Sequence, residues 1–347
     1  MEGTMRAVCK MKPELGFEWI DAPIPKPKKE EVLVKVHTTA ICGTDVHIYK
    51  WDPWAQSRLK LPLIFGHEFY GEVVELGEGV TKAKVGQFVS VECHYTCGKC
   101  YFCRTGQGHI CQDLEIAGVD RDGCFAEYVT VPQENLWTWD IDIDPAVAAI
   151  QDPFGNAIHT TLATDLVGKT VFVIGIGPIG MCSVKIAKAA GAARVIASDI
   201  SDYRLNMAKQ LGADLVINVA KQNTVEEIMK FTNGSGIDVM IEMSGNAKGI
   251  QDGFEVLRRG GFASLLGIPS RPVELDIANA IVFKGATVQG INGRRMFDTW
   301  YKAQDLLRGG LDITPVITHR FPFADIKKGF DLMVSGECGK VVIDMNK

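Results

Sequence analysis

The run Thr170-Val171-Phe172-Val173-Ile174 passes without a break into Gly175-Ile176-Gly177-Pro178-Ile179-Gly180. A short apolar run bounded by glycine is the pattern of a parallel strand buried on both faces, and Ile179 to Ala190 carries a helical pattern. A lone G-x-G-x-x-G is weak, because glycines often only mark turns. Here Asp199 also lies 24 residues after Gly175, at the end of the next apolar run, Arg194 to Ser198, so strand, glycines, helix and acid all fall where a dinucleotide site needs them. Glycines let the backbone approach a pyrophosphate, and the helix N-terminus offers unpaired N–H groups and positive dipole. An acid at Asp199 would accept hydrogen bonds from both ribose hydroxyls of adenosine and repel a 2′-phosphate, which favours NAD over NADP. Gly175, Gly177, Ile179, Gly180 and Asp199 are therefore candidate cofactor contacts. Arg204, which can accompany either form of the cofactor, joins them.

The pattern repeats beyond the fingerprint. Tyr203 to Leu211 reads as helix, Asp214 to Ile217 as strand, Val225 to Phe231 as helix and Val239 to Glu242 as strand. Alternating strands and helices predict an α/β fold with a doubly wound parallel sheet. Leu266-Gly267-Ile268 and Gly290-Ile291-Asn292 follow apolar runs at expected strand ends, where nicotinamide contacts belong. Before about residue 153 the texture differs. Glu31 to Val36 alternates at period two, and Tyr70–Gly77, Val85–Val91 and Phe125–Val131 also read as strands, with Ala22-Pro23-Ile24-Pro25-Lys26-Pro27 an extended connector. A β-rich, barrel-like domain is expected there. The tail, with a helix over Trp300–Leu307 and a strand over Lys340–Ile343, could return to it. A chain of 347 residues exceeds what one core usually organises, so two domains are expected.

Cys97-x-x-Cys100-x-x-Cys103-x7-Cys111 sets four thiols within fifteen residues. Thiolates suit tetrahedral zinc, and four of them close the shell against water, so this site is expected to be structural. An iron–sulfur cluster is the rival, but the run lacks the Cys-Pro ending of ferredoxins. Ten cysteines could instead signal disulfides. Clustering in a long chain whose Met1-Glu2-Gly3-Thr4-Met5-Arg6 start lacks a secretory pattern favours metal binding in a reducing cytoplasm. No apolar run reaches the roughly 18 residues of a membrane span. A net charge of −5 gives no reason to expect nucleic acid or anionic membrane as a partner.

A second set is dispersed: Cys42-Gly43-Thr44-Asp45-Val46-His47, then Gly66-His67-Glu68, then Asp152. Each alone is more often structural, and spacing does not prove convergence. Thr44 and His47 are three apart, so on a helix they share a face. They could relay a proton from a hydroxyl to an imidazole; equally, Thr44 could cap the helix.

With Cys42 upstream of Gly66-His67-Glu68 and the four-cysteine loop downstream, the chain resembles the zinc-containing medium-chain alcohol dehydrogenases over its whole length. The resemblance implies a GroES-like zinc-binding catalytic domain from residues 1–153 and 294–347, a Rossmann NAD-binding domain over 154–293, and a homotetramer. It implies a catalytic zinc held by Cys42, His67 and Glu68, with Asp152 an adjacent acid where many relatives place a third ligand, and a structural zinc on Cys97, Cys100, Cys103 and Cys111. It also favours the relay reading of Thr44 and His47. Cys42–Trp51, Gln151–Ala157 and Gly293–Tyr301 carry a finer likeness, which implies NAD-linked oxidation of L-threonine at C3 to L-2-amino-3-oxobutanoate. Asp152 or Glu68 could then face the substrate ammonium, and His94, Arg294 or Arg295 its carboxylate. A polyol or 2,3-butanediol dehydrogenase on the same scaffold is the nearest alternative. A non-catalytic relative that keeps only nucleotide and structural zinc is the alternative from another class.

Overall fold

The computed structural model describes residues 2–345, and the chain divides into two compact units. The first comprises Met1–Asp152, Met296–Trp300 and Ile317–Lys347. Its centre is the strand Glu31–Ile41, which is buried along nearly its whole length. The alternation legible over Glu31–Val36 does not persist, because this strand is paired on several sides. It takes Glu68–Leu76, Tyr128–Pro132 and the C-terminal strand Lys340–Asp344 as antiparallel neighbours. Phe88–Val91 and Leu136–Trp137 extend the seven-stranded sheet on one side, and Ile317–Pro322 pairs in parallel with Lys340–Asp344 on the other. The strand expected from Val85 starts only at Phe88, since Gly86 turns at φ 86°. A three-stranded sheet of Glu18–Pro23, Thr4–Lys10 and Leu63–Ile64 completes the unit. Its core gathers Phe65, Phe69, Phe125, Phe330 and Tyr49, the last two rings stacked 4.9 Å apart.

Pairing register decides what this unit presents at one end. Ala40 faces Glu68, and Ile41 faces Val341. Cys42 leaves the end of one strand, while Glu68 and Lys340 begin the strands on either side of it. Three residues far apart in sequence thus meet at a single sheet end. Gly66 holds the approach: its φ is +91°, and a Cβ there would lie 2.7 Å from the Phe125 ring.

The second unit comprises Pro153–Arg295 and Tyr301–Val316. Six parallel strands lie in the order Leu215–Asn218, Arg194–Asp199, Thr170–Ile174, Ile237–Glu242, Leu257–Leu265, Thr287–Gly290. That order reverses beside Thr170–Ile174, which is the topological switch of a Rossmann sheet. Helices Pro178–Ala189, Asp202–Gln210, Thr224–Phe231 and Ala247–Val256 connect the strands. The expected boundary at 294 differs from the observed one. The helix Asp298–Arg308 begins in the first unit, but residues 301–316 cluster with the second, and only the chain from Ile317 onward rejoins the barrel.

Candidate active site and metal centres

Ligand atoms of Cys42, His67, Glu68 and Asp152 all lie within 4.8 Å of one another. Cys42 is the N-cap of the helix Gly43–Lys50, with extended backbone at φ −95°, and its N–H donates to Asp45 Oδ2 at 2.8 Å. Asp45 therefore closes the helix start, and Thr44 does not cap it. Thr44 instead stands in the first turn, its Oγ1 3.9 Å from Cys42 Sγ. The same Asp45, fully buried, puts Oδ1 3.6 Å from His67 Nδ1. Glu68 is clamped at Oε1 by the buried ammonium of Lys340 at 2.6 Å. Its other oxygen, Oε2, is buried with no hydrogen-bond partner. Thr39 donates its hydroxyl to the Glu68 carbonyl at 2.7 Å, fixing the backbone.

A buried carboxylate oxygen without a partner is costly. Together with a thiol, an imidazole and a second carboxylate within 4.8 Å, it makes a group of donors that could hold a metal ion. Burial pushes the Cys42 thiol and the Glu68 carboxyl above their ordinary ranges, with His67 opposing at Cys42 and Lys340 opposing at Glu68. Asp152 begins the helix Gln151–Thr161 and lies 3.8 Å from the buried Cys93 thiol.

Cys97, Cys100, Cys103 and Cys111 form the other cluster, again within 4.8 Å. Cys100 Sγ lies 3.5 Å from Cys103 Sγ and 3.9 Å from Cys111 Sγ. These distances are too long for disulfide bonds of about 2.05 Å. They match the roughly 3.8 Å edge of a tetrahedron with Zn–S of about 2.3 Å. The N–H groups of Cys97 and Cys100 point at Cys111 and Cys97 sulfurs, each at 3.4 Å. Backbone N–H groups of Cys103 and Gln112 bring the Cys100 thiol down to about 6, favouring a thiolate.

In the second unit a cleft of about 940 Å³ opens at the carboxyl ends of the strands, lined by Gly175, Gly177, Asp199, Arg204, Lys221 and Asn246 among others. Asp199 accepts N–H from Ile176 at 2.8 Å through Oδ2 and from Ser201 at 2.9 Å through Oδ1. The acid therefore also ties the glycine turn to the next loop. Gly175 has φ +89°, and a Cβ on Gly180 would lie 2.1 Å from the Gly175 carbonyl oxygen. The turn can be built only from glycines at these two places.

Residues 28–141 match the family model for the alcohol dehydrogenase GroES-like domain, and residues 178–309 match that for zinc-binding dehydrogenases. A curated relative from Caldanaerobacter subterraneus subsp. tengcongensis, named L-threonine 3-dehydrogenase, is 51% identical over 99% of each chain. The chain belongs to the zinc-containing medium-chain dehydrogenases. An alcohol dehydrogenase of Escherichia coli CFT073, solved with NADH, superposes with a TM-score of 0.90 at 30% identity over 99% of each chain. The 2R,3R-butanediol dehydrogenase of Bacillus subtilis gives 0.89 at 28% identity, covering 98% of this chain and 99% of that one. As a member of this family the chain is an oxidoreductase, with zinc and NAD as its cofactors.

The remaining expected residues of this dehydrogenase separate into groups. His47 follows Thr44 on the same helix with its side chain 57% exposed, and its Nδ1 contacts Asp52. Leu266-Gly267-Ile268 and Gly290-Ile291-Asn292 sit at the ends of neighbouring strands, outside the lining of the 940 Å³ cleft. Ile179 is half-buried in the first turn of its helix. Arg294 is not a surface residue: it is 1% exposed, and Gly155 exists to make room for it, since a Cβ there would lie 2.6 Å from Arg294 Cδ. Arg295 is exposed. His94 is largely buried and contacts Glu92 Oε1 through Nδ1 at 2.8 Å. Sequence reading missed Lys340, Asp45, Glu92 and Cys93. Lys340 alone left a signal: a charged residue opening the otherwise apolar Val341-Val342-Ile343.

Proposed function

We propose that this dehydrogenase oxidises L-threonine at C3 to L-2-amino-3-oxobutanoate, with Cys42, His67 and Glu68 holding the catalytic zinc and Asp152 an acid beside it. The observation that carries the substrate is the full-length likeness, at 51% identity, to a protein named L-threonine 3-dehydrogenase. The paired carboxylates of the metal cluster support it, because they give a substrate ammonium a negative partner. Zinc bound by these residues supplies a Lewis acid for the substrate hydroxyl, and NAD supplies the hydride acceptor.

The chain's own residues do the rest. Lys340 and Asp45 fix Glu68 and His67 from behind, so these side chains are preorganised. Thr44 stands beside Cys42 and takes the proton of the substrate hydroxyl. His47, one turn on and open to water, receives it, with Asp52 orienting its ring. Gly175, Gly177 and the helix N-terminus hold the pyrophosphate, Asp199 and Arg204 the adenosine end, and residues 266–268 and 290–292 the nicotinamide. His94 receives the substrate carboxylate. Cys97, Cys100, Cys103 and Cys111 hold a second, structural zinc. In this reading the first unit, with Ile317 onward, supplies the catalytic domain, and the second unit, residues 153–295 with 301–316, the NAD domain.

The assembly is a homotetramer. Support comes from Thr287–Gly290, an outermost strand of its sheet, largely exposed, with Phe283 71% exposed close before it in sequence. Such an edge is a template for pairing with a second copy. The unbridged cysteines fit a cytoplasmic site, where thiols stay reduced. Among the described residues no helix is long and apolar enough to cross a membrane. A panel of L-threonine, sorbitol and 2,3-butanediol with NAD tests the substrate. NADH formation with L-threonine at a kcat/KM at least about a hundredfold above the others is expected, and turnover of a diol but not of L-threonine would reject it.

A further inference from the structure

Lys10 is 1% exposed and closes the strand Thr4–Lys10, where its backbone pairs with Leu63. Its Nζ donates to three main-chain carbonyls: that of Glu14, that of Gly16 at 2.8 Å and that of Tyr49 at 3.2 Å. An ammonium carries three protons, so these carbonyls take all of its donors. Burial brings its pKa down to about 8, with Glu14 opposing, and at neutral pH the group is still a cation. Glu14 and Gly16 belong to the loop that follows the strand, whereas Tyr49 stands in the last turn of the helix Gly43–Lys50. The Gly16 N–H donates to the same Tyr49 carbonyl at 2.9 Å, and the Phe17 ring packs on the Tyr49 ring at 6.0 Å. A buried cation thus closes the carboxyl end of the helix that carries Thr44 and His47, the end where its dipole favours positive charge.

The residue that ends this helix is unusual. Trp51 adopts φ 54° and ψ 48°, a left-handed backbone that a bulky aromatic residue keeps only where its surroundings hold it. Lys10 Nζ lies over the Trp51 ring, 5.5 Å from its centroid, which is within reach of a cation–π contact. One ammonium therefore grips both the carbonyl two residues before the cap and the ring of the cap itself. The reversal at Trp51 turns Asp52 back toward the helix. Its N–H donates to the His47 carbonyl at 3.4 Å, its Oδ1 accepts the Ala55 N–H at 3.1 Å, and its Oδ2 contacts His47 Nδ1. The contact that orients the His47 ring is thus set by a turn whose conformation depends on Lys10.

We propose that Lys10 is a positioning residue for the proton relay: by holding the Tyr49 carbonyl and the Trp51 ring, it sets the turn that places Asp52 against His47. This rests on the relay reading of Thr44 and His47 above. The test is the single-turnover rate of NADH formation by the full-length, zinc-replete enzyme at saturating NAD. It is read across L-threonine concentrations, with and without added imidazole as an external base. Lys10→Met, which keeps an apolar stem and removes the charge and the donors, is expected to lower the saturating rate by about tenfold. The half-saturating L-threonine concentration should stay within about twofold, and imidazole should restore the rate to within about threefold of wild type. Asp52→Asn should behave in the same way. Because both changes act on one contact, the double variant should fall no more than about twofold below Asp52→Asn alone. An undiminished rate, a loss that imidazole does not relieve, a change confined to half-saturation, or losses that multiply in the double variant would overturn the proposal. If Lys10→Met does not fold, Lys10→Gln, whose amide keeps two donors without the charge, is read in its place by the same criteria. His47→Asn separates this proposal from the reading beneath it. An undiminished rate in His47→Asn would remove the relay and this proposal with it; a diminished rate that imidazole relieves, beside an unrelieved loss in Lys10→Met, removes this proposal alone.

Discussion

At the scale of single residues, the cluster of Cys42, His67, Glu68 and Asp152 is braced by groups outside it. Lys340 neutralises Glu68 from the far side, with both side chains almost entirely buried. Removing one partner of a buried pair leaves the other charge stranded, typically at a cost of about 3–5 kcal/mol. Lys340→Met is therefore expected to lower the stability of metal-free protein in urea by about 3 kcal/mol. Zinc should recover part of that loss, because its charge would offset the freed carboxylate. An unchanged urea midpoint would contradict this role. The contrast between Glu68 and Lys340 also shows what a single sequence discloses. Cys42, His67 and Glu68 were expected to meet only through the family resemblance, and the structure brings their side chains together. Lys340 was invisible as a partner because 272 residues separate it from Glu68 and only strand register brings them together. Asp45 was passed over for a different reason. It sits inside a quoted motif, but its double duty toward Cys42 and His67 appears only once the helix cap is seen.

Among elements, two metal clusters with different neighbours should fail differently. The four-thiol cluster lies on short pieces, the helix Tyr101–Arg104 and the turn Gly108–Ile110, too small to persist on propensity alone. In the proposed reading a metal held by the four thiols orders them. Cys42, by contrast, ends a long buried strand whose fold does not need the metal. Cys100→Ser is expected to lower zinc content by about one per chain and to make this loop protease-sensitive. Cys42→Ser should also lose about one zinc, but leave the loop protected and abolish turnover. Metal analysis with limited proteolysis reads both; loop cleavage in Cys42→Ser with none in Cys100→Ser would reverse the assignment. Regular elements were the most legible part of this chain. Thr170–Ile174 was predicted with its observed ends, and the helices after it shift by a residue or so. The barrel strands were less so. Their sequence alternation is overridden where one strand has neighbours on several sides, and glycine turns such as Gly86 trim their ends.

For the whole molecule, each unit presents its chemistry where the fold makes room for it. The barrel does so at the sheet end shared by Cys42, Glu68 and Lys340, the parallel sheet at the switch beside Thr170–Ile174. Two-domain organisation was readable from length and from the change in texture near residue 153. How the chain between residues 296 and 316 is shared was not, because a single helix, Asp298–Arg308, carries residues of both units. The central claim is that hydride leaves C3 of L-threonine for NAD at a zinc-dependent site. L-threonine deuterated at C3, incubated with NAD and zinc-replete enzyme, tests it most directly by mass spectrometry of the reduced cofactor. NADH carrying one deuterium, with formation stopped by chelation of zinc, is the predicted result; unlabelled NADH, or reduction that proceeds without metal, would contradict it.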